Sequence, residues 1–129
     1  MNVREFLGRD RFAKLLGIEL LEVSEGRAKS KMELREEHLN GVDIVQGGVI
    51  FTLADFTLAA AANSHGRVAV VINASISFVK ATQQGVLFAE ATESSRNNKT
   101  AIYNVTICNA NRELVAESHG MVYIMKKTF

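Results

Sequence analysis

Val49-Ile50-Phe51-Thr52-Leu53-Ala54-Asp55-Phe56-Thr57-Leu58-Ala59-Ala60-Ala61-Ala62-Asn63 is the segment whose reading decides the fold. It is rich in Ala and Leu and long enough for about four helical turns. Its apolar residues surround the helical wheel instead of forming one stripe, so the helix must be buried on nearly every side. His65-Gly66 is its expected end. Ahead of it runs a polar, glycine-bearing loop from His38 to Gly48.

Outward from this helix, the downstream sequence turns to β patterning. Strands are predicted over Val68–Val79, Val86–Glu93, Thr100–Cys108 and Leu114–Met125, with hairpin turns at Arg96-Asn97-Asn98-Lys99 and Asn109-Ala110-Asn111-Arg112. Upstream, Ile18 to Leu34 reads as two short strands turned at Glu25-Gly26. The second sets Ala28, Ser30, Met32 and Leu34 against Arg27, Lys29, Lys31 and Glu33, which gives it one wet face. Val3, Phe6, Leu7, Phe12 and Leu15 fall at loosely helical spacing, which predicts one N-terminal helix over 3–15, ended by Gly17. An apolar helix among five or six antiparallel strands can hide its whole circumference only if the sheet wraps it. The fold class is therefore α+β, an antiparallel sheet around a central helix with a short N-terminal helix.

Length and charge narrow the functions. At 129 residues, 47% hydrophobic and 22% charged, residues 1–129 suit a single domain. Fifteen basic and fourteen acidic side chains leave a net charge of +1, so no broad field would gather nucleic acid or an anionic membrane. The N-terminus mixes charges into its apolar residues, and the longest apolar segment is interrupted by Thr52, Asp55 and Thr57. A cytoplasmic protein is expected, neither secreted nor membrane-spanning. The single cysteine, Cys108, has no internal disulfide partner and reads as a core residue. No His, Cys or carboxylate pair has metal-ligand spacing, and Gly47-Gly48 lacks the further glycines or lysine of a phosphate loop.

Two features carry chemistry. Asp55 lies inside the most apolar helix, where a carboxylate is costly without a partner or a task, and the residues alone leave both open. Gln46-Gly47-Gly48 stands at the helix start, where unpaired N–H groups and the positive end of the helix dipole face outward. A thioester carbonyl set against those groups would have its oxyanion stabilised; a plain glycine turn is the other reading. The histidines suggest structural roles: His38 in the loop, His65 at the helix end and His119 on the last strand.

The run His38-Leu39-Asn40-Gly41, then Gln46-Gly47-Gly48, then Leu53-Ala54-Asp55 resembles the signature of the PaaI-type hotdog thioesterases, the phenylacetyl-CoA thioesterase group. The resemblance extends through Ile76-Ser77-Phe78 and the Lys99-Thr100 turn, nearly the whole chain. It implies a hotdog fold and hydrolysis of an aryl- or medium-chain acyl-CoA to the free acid. In the family the first glycine of the pair supplies the oxyanion N–H, the aspartate eight residues on is nucleophile or general base, and a loop asparagine orients the attacking group. Those roles fall on Gly47, Asp55 and Asn40. Gln46 replaces the family's usual histidine; it can donate a hydrogen bond but cannot titrate near neutrality. The serine or threonine that some relatives place near the start of the next strand aligns with Val71, so that role is vacant or passes to Asn73. Lys80-Ala81-Thr82 replaces a region usually holding proline.

Gln46, Gly48 and Asn73 are thus candidate substrate contacts. Arg96 and Lys99 are candidates for the coenzyme A phosphates, as is Lys80; each also reads as a solvated charge. No metal and no cofactor is called for beyond the coenzyme A of the substrate. Gly47 and Asp55 stand about 12 Å apart along one helix, too far for one carbonyl to meet both, so the site is expected to be shared across a homodimer. The resemblance adds a dimer of dimers, a homotetramer. The alternatives are a non-catalytic acyl-CoA-binding hotdog protein and a hydroxyacyl dehydratase, the latter disfavoured by the absence of proline.

Overall fold

The computed structural model describes every residue, Met1–Phe129. Helices α1 (Val3–Leu7) and α2 (Arg11–Leu16) lead into strands β1 (Ile18–Ser24) and β2 (Arg27–Glu33). A 3-10 turn, Glu36–His38, and a loop then reach the long helix α3 (Gly47–Asn63). Four strands follow: β3 (Arg67–Phe78), β4 (Val86–Arg96), β5 (Thr100–Asn109) and β6 (Leu114–Thr128). All pair antiparallel in one six-stranded sheet of order β1-β2-β4-β5-β6-β3. The sheet curls around α3, the hotdog arrangement.

Complementary side-chain sizes let the sheet close on the helix. Along one row of the register, Ala28 stands opposite Ala91, Ala91 opposite Val105, and Val105 opposite Ser118. These small residues leave room for α3, whose Leu53, Phe56 and Leu58 are all buried. The approach is closest at Gly120 on β6, where a Cβ would overlap Leu58 Cδ1. Any side chain there would push helix and sheet apart. Near the middle of this layer a polar bond joins the Thr57 hydroxyl, which donates to the Leu53 carbonyl at 2.7 Å, to the buried Ser30 hydroxyl.

Beyond shifts of one to three residues at strand ends, two helices and one burial assignment differ from the sequence expectation. The segment read as one helix over 3–15 forms two, because Asp10 caps a new start: its carboxylate accepts the Ala13 N–H at 3.0 Å. Helix α3 begins at Gly47, not Val49, so both glycines sit in its first turn, and it ends at Asn63 with Ser64 as cap. Cys108 is not core. On β5 the inward positions are Ala101, Tyr103, Val105 and Ile107, and Cys108 lies on the half-exposed outer side. No helix is long and apolar enough to cross a membrane.

Candidate active site

The loop before α3 is held from both sides. His38 is fully buried; its Nδ1 accepts the Arg35 N–H at 3.0 Å and its Nε2 donates to the Leu16 carbonyl at 3.0 Å. Burial holds its pKa below the ordinary 6.5, assisted by the Arg35 charge and opposed by the Leu16 bond and the Glu37 charge, so this histidine is a neutral clamp between loop and α2. Its own carbonyl takes the Gln46 N–H at 2.9 Å. Asn40 shapes the tip: its side-chain oxygen accepts the N–H groups of Val42 and Ile44 at 3.0 and 3.2 Å. That oxygen is committed to the loop, which leaves the Asn40 amide N–H₂ to face a ligand.

Gln46 is the N-cap of α3, its side-chain oxygen accepting the Val49 N–H at 3.2 Å. The N–H groups of Gly47 and Gly48 have no acceptor within the chain, as the first turn of a helix dictates. Gly47 opens, with Asn40, Ile50, Phe78 and Thr82, onto a cleft of about 330 Å³. A Cβ on Gly47 would stand 3.1 Å from the Phe78 ring, so glycine is what keeps this wall open. Thr82 supports the floor: its carbonyl accepts the Val45 N–H at 2.9 Å, while its buried hydroxyl has no partner.

Asp55 lies two turns further along α3 and does not line this cleft. It is partly buried, and burial, followed by the nearby negative charge of Asp10, pushes its carboxyl above the ordinary 3.8. A carboxylate in that environment is a stronger base than a free one. Within one chain the structure thus brings together Asn40, Gly47 and the Gln46-Gly48 turn, and keeps Asp55 apart from them by about 12 Å of helix.

The remaining candidates stand elsewhere. Asn73 is exposed on β3 at a break in register between Val71 and Asn73, away from the cleft. Arg96 reaches the other end of α3, its Nη1 3.5 Å from the Ala62 carbonyl and 3.9 Å from Glu93 Oε1. There it belongs to a structural cluster: Glu93 also accepts from Tyr103 at 2.6 Å and bonds His65 Nε2 at 2.9 Å. Burial raises the Glu93 carboxyl, but these bonds and the His65 and Arg96 charges outweigh it and hold the group below its ordinary 4.5. Lys99 is on the exposed turn beside Arg96, and Lys80, at the cleft, pairs with Glu113 at 3.1 Å. No cluster of three or more His, Cys, Asp or Glu side chains is placed to hold a metal ion.

Of three further residues with a part in this geometry, two carry weak sequence signals. Phe78 looks like any apolar strand residue and Thr82 like any loop threonine. Asp10 had a readable signal, an Asp immediately before a helical segment.

A model of the thioesterase superfamily matches residues 43–116, more than half of the chain. A protein of Archaeoglobus fulgidus is 42% identical over 130 residues, spanning 99% of this chain and 84% of that one. The acyl-coenzyme A thioesterase PaaI of Escherichia coli K12 is 33% identical over 120 residues, 92% of this chain and 86% of its own length. The solved structure of the E. coli PaaI protein from the phenylacetic acid degradation operon matches with a TM-score of 0.95 at 31% identity, over 98% of this chain and 93% of that one. By that family match, by 33% identity to PaaI across most of both chains and by a TM-score of 0.95, the chain belongs to the PaaI-type hotdog branch of the thioesterase superfamily.

Proposed function

We propose that this protein hydrolyses an aryl- or medium-chain acyl-CoA to the free acid and coenzyme A, in the cytoplasm and without a metal or other cofactor. The observation that carries the proposal is the pairing of a partly buried, unpartnered carboxylate with a helix start whose glycine N–H groups open onto a cleft. The thioester carbonyl accepts from the Gly47 N–H, with Gln46 and Gly48 beside it, and the developing oxyanion is stabilised there. Asp55 either attacks the carbonyl carbon or takes the proton of a water that does; the carbon–sulfur bond breaks and the thiol leaves. Asn40 orients the attacking group through its amide N–H₂.

Because Gly47 and Asp55 of one chain cannot reach the same carbonyl, the complete site is assembled from two copies, with Asp55 of one facing the Gly47 loop of the other. Strand β3 supports a two-fold pairing. Its outer edge has no neighbour, it carries no charged residue from Val68 to Phe78, and it exposes Val70, Ile72 and Phe78. A dimer of dimers extends the same assembly. In that assembly Lys99 and Arg96 meet the coenzyme A phosphates only where they belong to a neighbouring copy.

The test is thiol release from benzoyl-, phenylacetyl- and octanoyl-CoA by the wild type and Asp55→Asn. The variant should lose about 100-fold or more in kcat. Its folding should not suffer. A carboxyl raised in the folded state destabilises that state as pH climbs from 3.8 through the folded value, so the neutral amide should melt no lower at pH 7. Retention of kcat within a factor of a few would remove Asp55 from the mechanism. No turnover by the wild type, with binding intact, would favour a non-catalytic acyl-CoA-binding protein.

A further inference from the structure

His38 is a buried titratable group with no part in the bond-making steps above, yet it closes the base of the loop that carries Asn40 and Gly47. Only 1% of it is exposed. Its carbonyl accepts the Gln46 N–H at 2.9 Å, and Gln46 directly precedes Gly47. Inside the loop the Asn40 N–H donates to the Ile44 carbonyl at 2.8 Å, and Leu39 bridges Val45. Whatever fixes His38 therefore fixes the N–H groups at the start of α3.

The ring is held at both nitrogens, and the two bonds decide where its proton sits. Nδ1 meets the Arg35 N–H, which can only donate, so Nδ1 is the bare acceptor. Nε2 meets the Leu16 carbonyl, which can only accept, so Nε2 carries the hydrogen. A second proton would sit on Nδ1, aimed at the Arg35 N–H, and turn a hydrogen bond into two opposed donors. The surrounding charges do not compensate. On the same turn Arg35 Nη2 stands 3.3 Å from Nε2 while donating to the Leu15 carbonyl at 2.8 Å, and exposed Glu37 is already paired with Arg35 at 3.0 Å. Helix α2 offers the Leu16 carbonyl, and the start of α3 the uncharged Gln46.

We infer that His38 is a positioning residue for hydrolysis: its neutral ring ties the Asn40–Gly47 loop to the C-terminal end of α2, and a second proton on the ring unties it. This rests on the hydrolase reading above and adds control of the same site by acidity. The ring gains that proton with the tie open, where its pKa returns to about 6.5. Opening is therefore indifferent to pH above about 7.5 and grows about tenfold for each unit below 6.5, down to the lowered value of the closed ring.

The experiment is hydrogen exchange of the wild type, read amide by amide by NMR from about pH 5 to 8. Protection of the Gln46 and Arg35 N–H groups should be constant at the upper end and fall about tenfold per unit below 6.5, with amides of the central strand β5 exchanging far more slowly. A flat profile at Gln46 overturns the inference, as does exchange in β5 at the same rate, which would make the opening global. His38→Asn keeps an acceptor for the Arg35 N–H and His38→Gln a donor for the Leu16 carbonyl, and neither titrates. Each should remove the pH dependence at Gln46 and lower kcat on phenylacetyl-CoA about tenfold or more, with KM within about threefold, because the loop contact counts most in the transition state. Wild-type kcat in both variants would strip His38 of any part in hydrolysis. If a variant does not fold, the wild-type exchange profile decides. If the wild type hydrolyses no acyl-CoA, the hydrolytic reading fails separately, and the same profile still tests the acid-sensitive tie.

Discussion

Mixing two inactive variants should restore activity, and the amount follows from the geometry. Asp55→Asn removes the carboxylate. Gly47→Val blocks the other half of the site, because a Cβ at that position already stands 3.1 Å from the Phe78 ring. With the two residues separated by about 12 Å along α3, the proposed shared site draws its carboxylate from one subunit and its oxyanion loop from the other. In a hybrid dimer one site then collects both defects, while the other combines a wild-type Asp55 with a wild-type Gly47 loop. Equal amounts, randomly exchanged, make about half of the dimers hybrid, each with one good site of two, so roughly a quarter of wild-type turnover should return. The assay is thiol release after co-refolding, with subunit exchange confirmed by native mass spectrometry. If exchange is complete and activity stays at the level of the separate variants, each chain carries its own complete site and the shared arrangement is wrong.

Three further outcomes follow from individual side chains. Asp10→Asn keeps the cap on α2 but removes a negative charge that raises the Asp55 carboxyl, so the acid limb of the kcat/KM profile should move to lower pH; an unmoved limb would separate Asp10 from the site. Glu93→Gln should cost about 1–3 kcal/mol at pH 7 by weakening the bonds from Tyr103 and His65. Since the Glu93 carboxyl is lowered in the folded state, that stability is present above 4.5 and is lost as pH falls through the folded value, so denaturant midpoints of variant and wild type should converge in acid. Thr82→Val should raise stability by about 1 kcal/mol, because it replaces a buried hydroxyl that has no partner; a lower melting temperature would show that the hydroxyl is satisfied.

Periodicity sufficed for the elements that face a core. The Ala- and Leu-rich run ending at Asn63 is buried over most of its circumference, with Phe51, Thr52, Asp55 and Ala59 half-buried on one face, and the alternation from Arg27 to Glu33 is the two-faced β2. Local chemistry overrode periodicity where a single cap changed the outcome. Asp10 split the N-terminal segment in two, and the Gln46 side chain moved the start of α3 back to Gly47. Cys108 misled because alternation fixes two faces but does not say which faces the helix; a bulge between Ile107 and Cys108 further blurs the period. Asn40 and Gly47 line one cleft, as their short separation along the chain allows. Arg96 could not be placed from sequence, because its partners Glu93 and Ala62 meet it only after β4 has been folded against the end of α3. The cavity between α1 and the end of α3 was equally hidden, being a gap between segments some fifty residues apart, Phe6 and Ala59.

The position of β3 governs how this chain can fold as it is made. It is completed before β4, β5 and β6, yet its sole neighbour in the sheet is β6, the final strand, with Phe78 opposite Ala116 and Arg67 opposite Thr128. Until the last residues emerge, an apolar strand and one flank of an apolar helix stand ready with nothing to pair against. Closing that gap is a long-range event, which slows folding and leaves the nascent chain exposed to aggregation. A stop codon ahead of the 15 residues of β6 would therefore leave β3 without a partner and β5 with a bare edge, and such truncations should be insoluble even though every residue of the Gly47 loop and Asp55 is still present.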